Sequence, residues 1–354
     1  MSEEKRDFGG LSCPAPIADY QNILLAHGSG GSLTQALIQS VFFTAFDNPM
    51  LDKPHDGAVL PVESGRLAFT TDSYIVSPLF FPGGDIGSLA VHGTVNDLAM
   101  CGARPLALSA AFIIEEGLPI GTLRRIAASM GDAARRVGVP IVTGDTKVVN
   151  RGKGDGVFIN TAGIGVVPEG VEISPSRAAS GDKIIVSGEI AAHGIAVMSQ
   201  REGIGFESSV QSDSAALDKI VAAILAAGGE GVHVLRDPTR GGVASALNEI
   251  AKDAQVGMLL REKDIPMAEA VRAACAIFGF DPLYVANEGK LLAFVRPEVA
   301  DAVLEAMRAD PLGRDAAVIG EVVADHPGMV YLRSSIGGTS VVSMLSGEQL
   351  PRIC

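Results

Sequence analysis

The stretch IGSLAVHGTVNDLAMCGARPLALSAAFIIEEGLPIGTLRRIAASMGDAARRVGVPIVTGDTKVV, residues 86–149, decides the fold. Residues 86–100 read as a helix, and Gly102 stands just past their end, where a helix commonly stops. ALSAAFII at 107–114 reads as a strand. Residues 120–137 return to the helical period, with Ile120, Leu123, Ile126, Ala127, Met130, Ala134 and Val137 on one face. PIVTGDTKVV closes the stretch as another strand. Outward from it, AVLPV and LAFTTDSYIV on one side and VFINTAGIGVV on the other read as further strands. Helices and strands mix without a single βαβ series, which predicts an α+β fold.

Toward the N-terminus, AHGSGG at 26–31 is a Gly-rich loop, and LTQALIQSVFFTAF at 33–46 follows with helical spacing. Toward the C-terminus, VPEGVEISPSRAASGDK at 167–183 is rich in Pro, Ser and Gly and poor in apolar period, so a domain boundary is expected there. Strands are predicted beyond it near 183–190, 256–261, 291–296, 316–323 and 329–333, and helices near 213–227, 243–253, 266–278 and 297–309. The expected division is a lead-in with the Gly-rich loop over 1–40, an N-terminal domain over 41–168, a C-terminal domain over 175–340 and a flexible tail over 341–354. Pro351 can continue neither a ladder nor a helix interior. A free tail from Ser346 reaches ~30 Å at full extension.

A chain of 354 residues suits two domains, and 47% hydrophobic content supplies full cores. The net charge of -13 repels nucleic acid and anionic lipid alike. No run of ~18 apolar residues occurs. The polar start MSEEKRDFGG has no signal-peptide core, so the cytoplasm is the expected location. Cys13, Cys101, Cys275 and Cys354 are too scattered for a zinc site or a disulfide framework. Cys101 and Cys275 lie in apolar helical stretches and are expected to be buried.

Several groups carry possible chemistry. Asp56 in HDGAV, Asp72 in TTDS, Asp97 in VNDLAM and Asp145 in TGDTK are hard oxygen donors of the kind that hold Mg²⁺ against phosphates. Each is equally readable as a cap or turn former. Lys147 stands two residues from Asp145, on the same face of a strand, as a phosphate neutraliser or a solvated edge lysine. The glycines of AHGSGG free backbone N–H groups for phosphate oxygens, yet match neither the Walker loop nor GxGxxG. RDPTRGG at 236–242 leads into a helix whose first amides, with Arg240, suit an anion. Glu288 in NEGK is a general base or a surface acid. Cys354 is a working thiol or an inert chain end; prenylation is excluded because no residue follows it.

In order, AHGSGG, HDGAV, TTDSYIV, VNDLAMCGA, TGDTKVV, RDPTRGG, NEG and a terminal PRIC span nearly the whole chain. The set resembles the HypE family of hydrogenase maturation factors. That family lies in the superfamily of aminoimidazole ribonucleotide synthetase, selenophosphate synthetase and thiamine-monophosphate kinase. The absence of cysteine from HGSGG counts against selenophosphate synthetase itself. The resemblance implies a two-domain aminoimidazole ribonucleotide synthetase-like fold. Its N-terminal domain would form an intersubunit β-barrel in a homodimer, and its C-terminal domain would be an α/β sandwich. It implies ATP-dependent dehydration of an S-carboxamide on Cys354 to an S-cyanate, with HypF as carbamoyl donor and the HypC–HypD complex as cyanide acceptor. It implies ATP held by Gly28, Gly30, Gly31, Asn96, Thr146, Thr239, Arg240 and Gly241, with Gly242 beside them. Mg²⁺ would be held by Asp56, Asp72, Asp97 and Asp145, and Lys147 and Glu288 would handle protons.

Overall fold

The computed structural model describes residues 20–28, 32–49, 51, 65–203, 210–345, 350 and 352–354. The predicted strand AVLPV lies outside these residues. The N-terminal half begins with helices α1 (Ser32–Leu37) and α2 (Thr44–Phe46), joined by a π-helical stretch, Ile38–Phe43. Strand β1 (Arg66–Tyr74) follows, then a small hairpin of β2 (Phe80–Phe81) and β3 (Gly84–Asp85). Helix α3 (Ile86–Met100), β4 (Arg104–Glu115), α4 (Ile120–Val137), β5 (Ile141–Val149) and β6 (Val157–Val167) complete it. The sheet runs β1-β6-β4-β5 and is antiparallel except between β4 and β5, which α4 connects. Among the described residues it is open, with β1 and β5 as its two edges.

The amphipathic stripe of α4 is buried and its arginines 124, 125, 135 and 136 are exposed, as the period requires. Gly138, at φ +79°, ends the helix. Helix α3 is different: it is buried on nearly every side, between the sheet, α4 and the second half of the chain. No water reaches its first N–H groups, so Asp85 accepts from Gly87 and Ser88 in a capping box.

The C-terminal half contains β7 (Lys183–Val186), α5 (Ala192–Arg201), α6 (Asp218–Gly228), β8 (Val232–Arg236), α7 (Gly242–Ala254), β9 (Gly257–Arg261) and α8 (Glu269–Phe278). After these come β10 (Leu292–Val295), α9 (Pro297–Ala309), β11 (Ala317–Val323), β12 (Val330–Arg333) and β13 (Thr339–Val342). The sheet order is β13-β12-β9-β11-β7-β10-β8. The strands β7 and β10 are buried on both faces, which is why IIV at 184–186 and LAFV at 292–295 are continuous apolar runs. Ile184, Val186 and Phe294 face one core with α5, α7 and α8; Ile185, Ala293 and Val295 face another with α6 and α9.

Four elements of the C-terminal half depart from the sequence expectation. Helix α5 and strand β8 have no predicted counterpart: α5 buries His193, Gly194 and Ile195 in succession, so no stripe marks it. The expected helix from 213 starts at Asp218, because residues before it run extended against Asn96 and the 288–289 turn. The tail was expected from 341, but β13 occupies 339–342. Among the described residues no helix is long and apolar enough to cross a membrane.

Gly242 opens α7 at φ +60°, and a Cβ there would lie 2.5 Å from the Leu283 carbonyl oxygen. Gly242→Ala is expected to cost about 2–4 kcal/mol through strain and backbone collision. Gly138→Ala, at φ +79° in open space, is expected to cost only about 1 kcal/mol. Urea unfolding of the two variants checks the difference.

Candidate active site

The two halves meet at a cleft of about 460 Å³. Asp72 reaches it from β1, Asp97 from α3, Asp237 and Thr239 from the β8–α7 loop, Glu288 from the turn before β10, and Cys354 from the chain end. Asn287 builds that turn. Its side chain is fully buried, accepts from the Ala191 N–H at 2.7 Å and donates to the carbonyls of Pro238 and Val285 at 2.9 and 3.1 Å. Gly289 must be glycine, since a Cβ would lie 1.8 Å from the Asp213 carbonyl oxygen. Between them Glu288 is held at both ends of its backbone: its N–H donates to Asp213 at 3.1 Å and its carbonyl accepts from Asn96 at 3.2 Å.

Glu288 is therefore no surface acid. It is 3% exposed, and its Oε1 has no hydrogen-bond partner among the described residues. Burial, then the carboxylates of Asp237, Asp213, Asp72 and Asp97, push its pKa well above the ordinary range. Asp237 is pushed up to about 7, by burial first and Asp97 next. Asp97 is also raised by burial, against a 2.9 Å hydrogen bond from Thr70 that favours its charged form. The neighbouring Arg236 is drawn off to Glu249 at 2.7 Å. Sequence reasoning passed over Asp237 in RDPTRGG; the signal was an acid beside a proline that ends a strand, which turn chemistry explains equally well.

The sequence-predicted residues divide. Asp72, Asp97, Thr239, Arg240, Glu288 and Cys354 line this cleft, and Gly241 lines its continuation. Asn96 does not face it. It is 1% exposed, donates to the Ala215 and Glu288 carbonyls and accepts from the Leu217 N–H at 2.8 Å, so it is a strut between the halves rather than a nucleotide contact. Gly30, Gly31 and Asp56 lie outside the described residues. Cys101 was expected to be buried but is exposed at the end of α3, where the helix turns into the same cleft; Cys275 is buried. The chain end was expected to be free, yet residues 352–354 are docked. Cys354 is half-buried, its thiol pushed above the ordinary range by burial and then by Glu288.

Asp145 and Lys147 lie elsewhere. They line a separate cavity of about 210 Å³ with Gly28, Thr34, Thr146 and the rings of Phe42, Phe46 and Phe112. Their same-face spacing on β5 yields an ion pair at 2.6 Å, and Lys147 lowers the Asp145 pKa. A Cβ on Gly28 would lie 2.6 Å from the Val148 nitrogen, so the Gly-rich loop enters pressed against β5. Asp145 and Asp72 stand on opposite edge strands, three interstrand steps or roughly 14 Å apart. Among the described residues, no three His, Cys, Asp or Glu side chains are gathered to hold a metal.

Comparison with known proteins places this geometry. The model of the AIR synthase related protein, N-terminal domain, matches residues 54–167, and that of the C-terminal domain matches 179–332. The chain is 57% identical to the carbamoyl dehydratase HypE of Bradyrhizobium diazoefficiens over 330 residues, 93% of this chain and 95% of the relative. It is similar to a crystal structure of the hydrogenase maturation protein HypE in complex with ATP, at 50% identity and a TM-score of 0.90, covering 94% of this chain and 99% of that one. It is also similar to a chain in a HypE–HypF complex, at 47% identity and a TM-score of 0.77, covering 88% and 100%.

The acid cluster makes stability depend on pH. Between the ordinary 3.8 and about 7, the unfolded chain has lost the Asp237 proton that the folded chain keeps. The stability linked to this group is full below about pH 4, is lost as pH rises to about 7, and is level above. Asp237→Asn removes the loss, so thermal unfolding is expected to show a larger gain in Tm at pH 8 than at pH 5. Equal gains would mean that Asp237 ionises in the folded chain without penalty.

Proposed function

Because the chain belongs to the HypE family of AIR synthase related proteins, we propose that it is an ATP-dependent carbamoyl dehydratase of hydrogenase maturation that acts on its own C-terminal cysteine. The observation that carries this reading is the Cys354 residue lying in the cleft of Asp72, Asp97, Asp237 and the buried Glu288. The reaction converts Cys354–S–C(=O)NH₂ and ATP into Cys354–S–C≡N, ADP and phosphate. An amide oxygen is a poor leaving group. Once it accepts the γ-phosphoryl it departs as phosphate, and loss of the two N–H protons leaves the nitrile. Glu288, held next to the thiol, orients the carboxamide nitrogen and takes a proton from it. Lys147 neutralises phosphate charge, and Arg240 at the cleft mouth does the same from the other side.

The donor set fits Mg²⁺, which would spread the charge of the transferring phosphoryl group. Mg²⁺ is usually held by one or two carboxylates with phosphates and waters, so a closed protein cage is not required. Asp72, Asp97 and Asp237 would hold it, together with Asp145 and Asp56. The unneutralised crowding that raises Asp97 and Asp237 supports this assignment. The ATP complex of the solved relative supports the nucleotide. In this reading Gly28, Gly30, Gly31 and Thr146 would hold it on one side and Thr239, Arg240 and Gly241 on the other.

A second copy of the chain completes the site in this reading. Leu67 and Phe69 on β1 are 61% and 71% exposed, and Ile113 on β4 is 45% exposed. They lie on the sheet face turned away from α3, an apolar patch that a twin would cover. A twin's β5 edge beside β1 would close an intersubunit barrel and bring Asp145 and Lys147 to the cleft of its partner. HypF is the proposed carbamoyl donor, supported by the solved HypE–HypF complex, and HypC–HypD is the proposed acceptor.

With HypF, carbamoyl phosphate and Mg-ATP, the chain is expected to lose the mass of one water from its carbamoylated tail. Cys354→Ser is expected to abolish that product and retain Mg-ATP binding by calorimetry. Asp145→Ala and Glu288→Ala are each expected to be inactive. After mixing and subunit exchange they should recover about a quarter of full activity, because half the dimers are mixed and one of their two sites is intact. No recovery would place both groups within one chain.

A further inference from the structure

The last three residues are held more completely than a chance contact would hold them. The Ile75 N–H donates to the Cys354 carbonyl at 3.1 Å and the Ser77 N–H donates to the Arg352 carbonyl at 3.2 Å, so the tail, which turns at Arg352 with φ +53°, lies along residues 75–77. The carbonyl between them, of Ile353, accepts from His193 Nε2 at 3.0 Å. Arg201 grips the same register. Its Nη2 donates to the Ser77 and Arg352 carbonyls at 2.5 and 2.8 Å. Each of three successive tail carbonyls therefore has a donor from outside the tail.

His193 is suited to this task alone. It is fully buried, and burial lowers its pKa. A carbonyl can only accept, so Nε2 carries a proton, and Nδ1 meets Ser212 Oγ at 2.8 Å. Arg352 makes an ion pair with Asp155 and donates from Nε to the Ile75 carbonyl at 3.1 Å. Ile353 is 3% exposed within the N-terminal core. Gly194 leaves room for Leu350: a Cβ there would stand 3.1 Å from its Cδ1.

We propose that His193 and Arg201 of α5, with residues 75–77 and Asp155, form a binding site for the chain end, namely the Arg352-Ile353-Cys354 segment of this protein, and that His193 and Arg201 are positioning residues that set the Cys354 thiol beside Glu288. The site spans both halves of the chain, so it reads the tail only in their assembled arrangement. Backbone bonds fix the register, the Ile353 side chain fills the core, and Arg352 supplies the charge that Asp155 answers. This inference rests on the reading of Cys354 as the substrate carrier, and its test is independent of that reading.

The full-length protein is treated with iodoacetamide in the absence of ATP, and modification of each cysteine is followed by peptide mass spectrometry. In the unaltered chain Cys354 is expected to react far more slowly than in the same chain unfolded in urea. Arg201→Gln is expected to raise its rate about tenfold, the scale of a lost charge-assisted hydrogen bond. Asp155→Asn is expected to raise it less. His193→Leu is expected to expose the thiol, and His193→Gln, whose amide keeps a donor, to protect it again. Cys275, buried in the C-terminal core, must stay unmodified as the mark of an intact fold. If a His193 variant fails that mark, Arg201→Gln and Asp155→Asn decide. Equal rates in the unaltered chain and Arg201→Gln overturn the proposal, as does labelling of Cys354 at the rate of the unfolded chain. A protein that releases its tail as expected yet never dehydrates a carbamoylated one counts against the carrier reading and leaves the binding site standing.

Discussion

A buried amide must find a partner for each of its polar atoms, and Asn96 finds them all across the junction between the two halves. Its helix, α3, has almost no solvent face, so an unsatisfied group there would cost the full desolvation penalty. The bonds to Ala215, Leu217 and Glu288 set one half against the other. They also carry Glu288 to the side of Asp97, one residue along the same helix. These hydrogen bonds act beside the apolar packing of Ala99 and Met100 against Leu217, Ile220 and Leu291, and together they build the cleft.

That arrangement concentrates acids where burial disfavours charge. Asp97, Asp237 and Glu288 are each raised by desolvation first, and Asp72 adds to all three; Arg236 is paired with Glu249 and Lys290 lies toward Asp213 at 3.9 Å, while Arg240 lines the cleft beside them. A structural network would have paired these groups. Such unrelieved repulsion is characteristic of sites that meet a cation or a proton during their work.

The docked chain end shows how a carrier can be both ordered and releasable. Its backbone bonds replace bonds that water would make to a free tail, so each contributes modestly and the sum stays reversible. The tail lies along the segment that follows β1, the strand that brings Asp72 to the cleft. Thiol and carboxylates are in this way positioned by one stretch of chain.

Much of this protein was legible from its sequence. The bounds of α4 follow from its apolar period, and the ends of α3 and α4 from the glycine beyond each. The Asp145–Lys147 pair follows from alternation along a strand. The ordered motifs and the terminal cysteine pointed to the family that the comparisons show. Periodicity reports which face of an element is covered, and spacing reports which neighbours along one element can touch. Neither reports which remote elements converge. The tertiary structure alone revealed that Asn96 is a strut, that Asp237 joins Asp97, that Cys101 opens on the cleft and that Asp145 sits at the far edge of the sheet. It alone showed α5, whose buried face mixes His193 with glycine and aliphatic groups, and whose His193 and Arg201 meet the chain's end. Those facts depend on the crossing of distant segments, where the partner of a polar atom is chosen by packing in three dimensions.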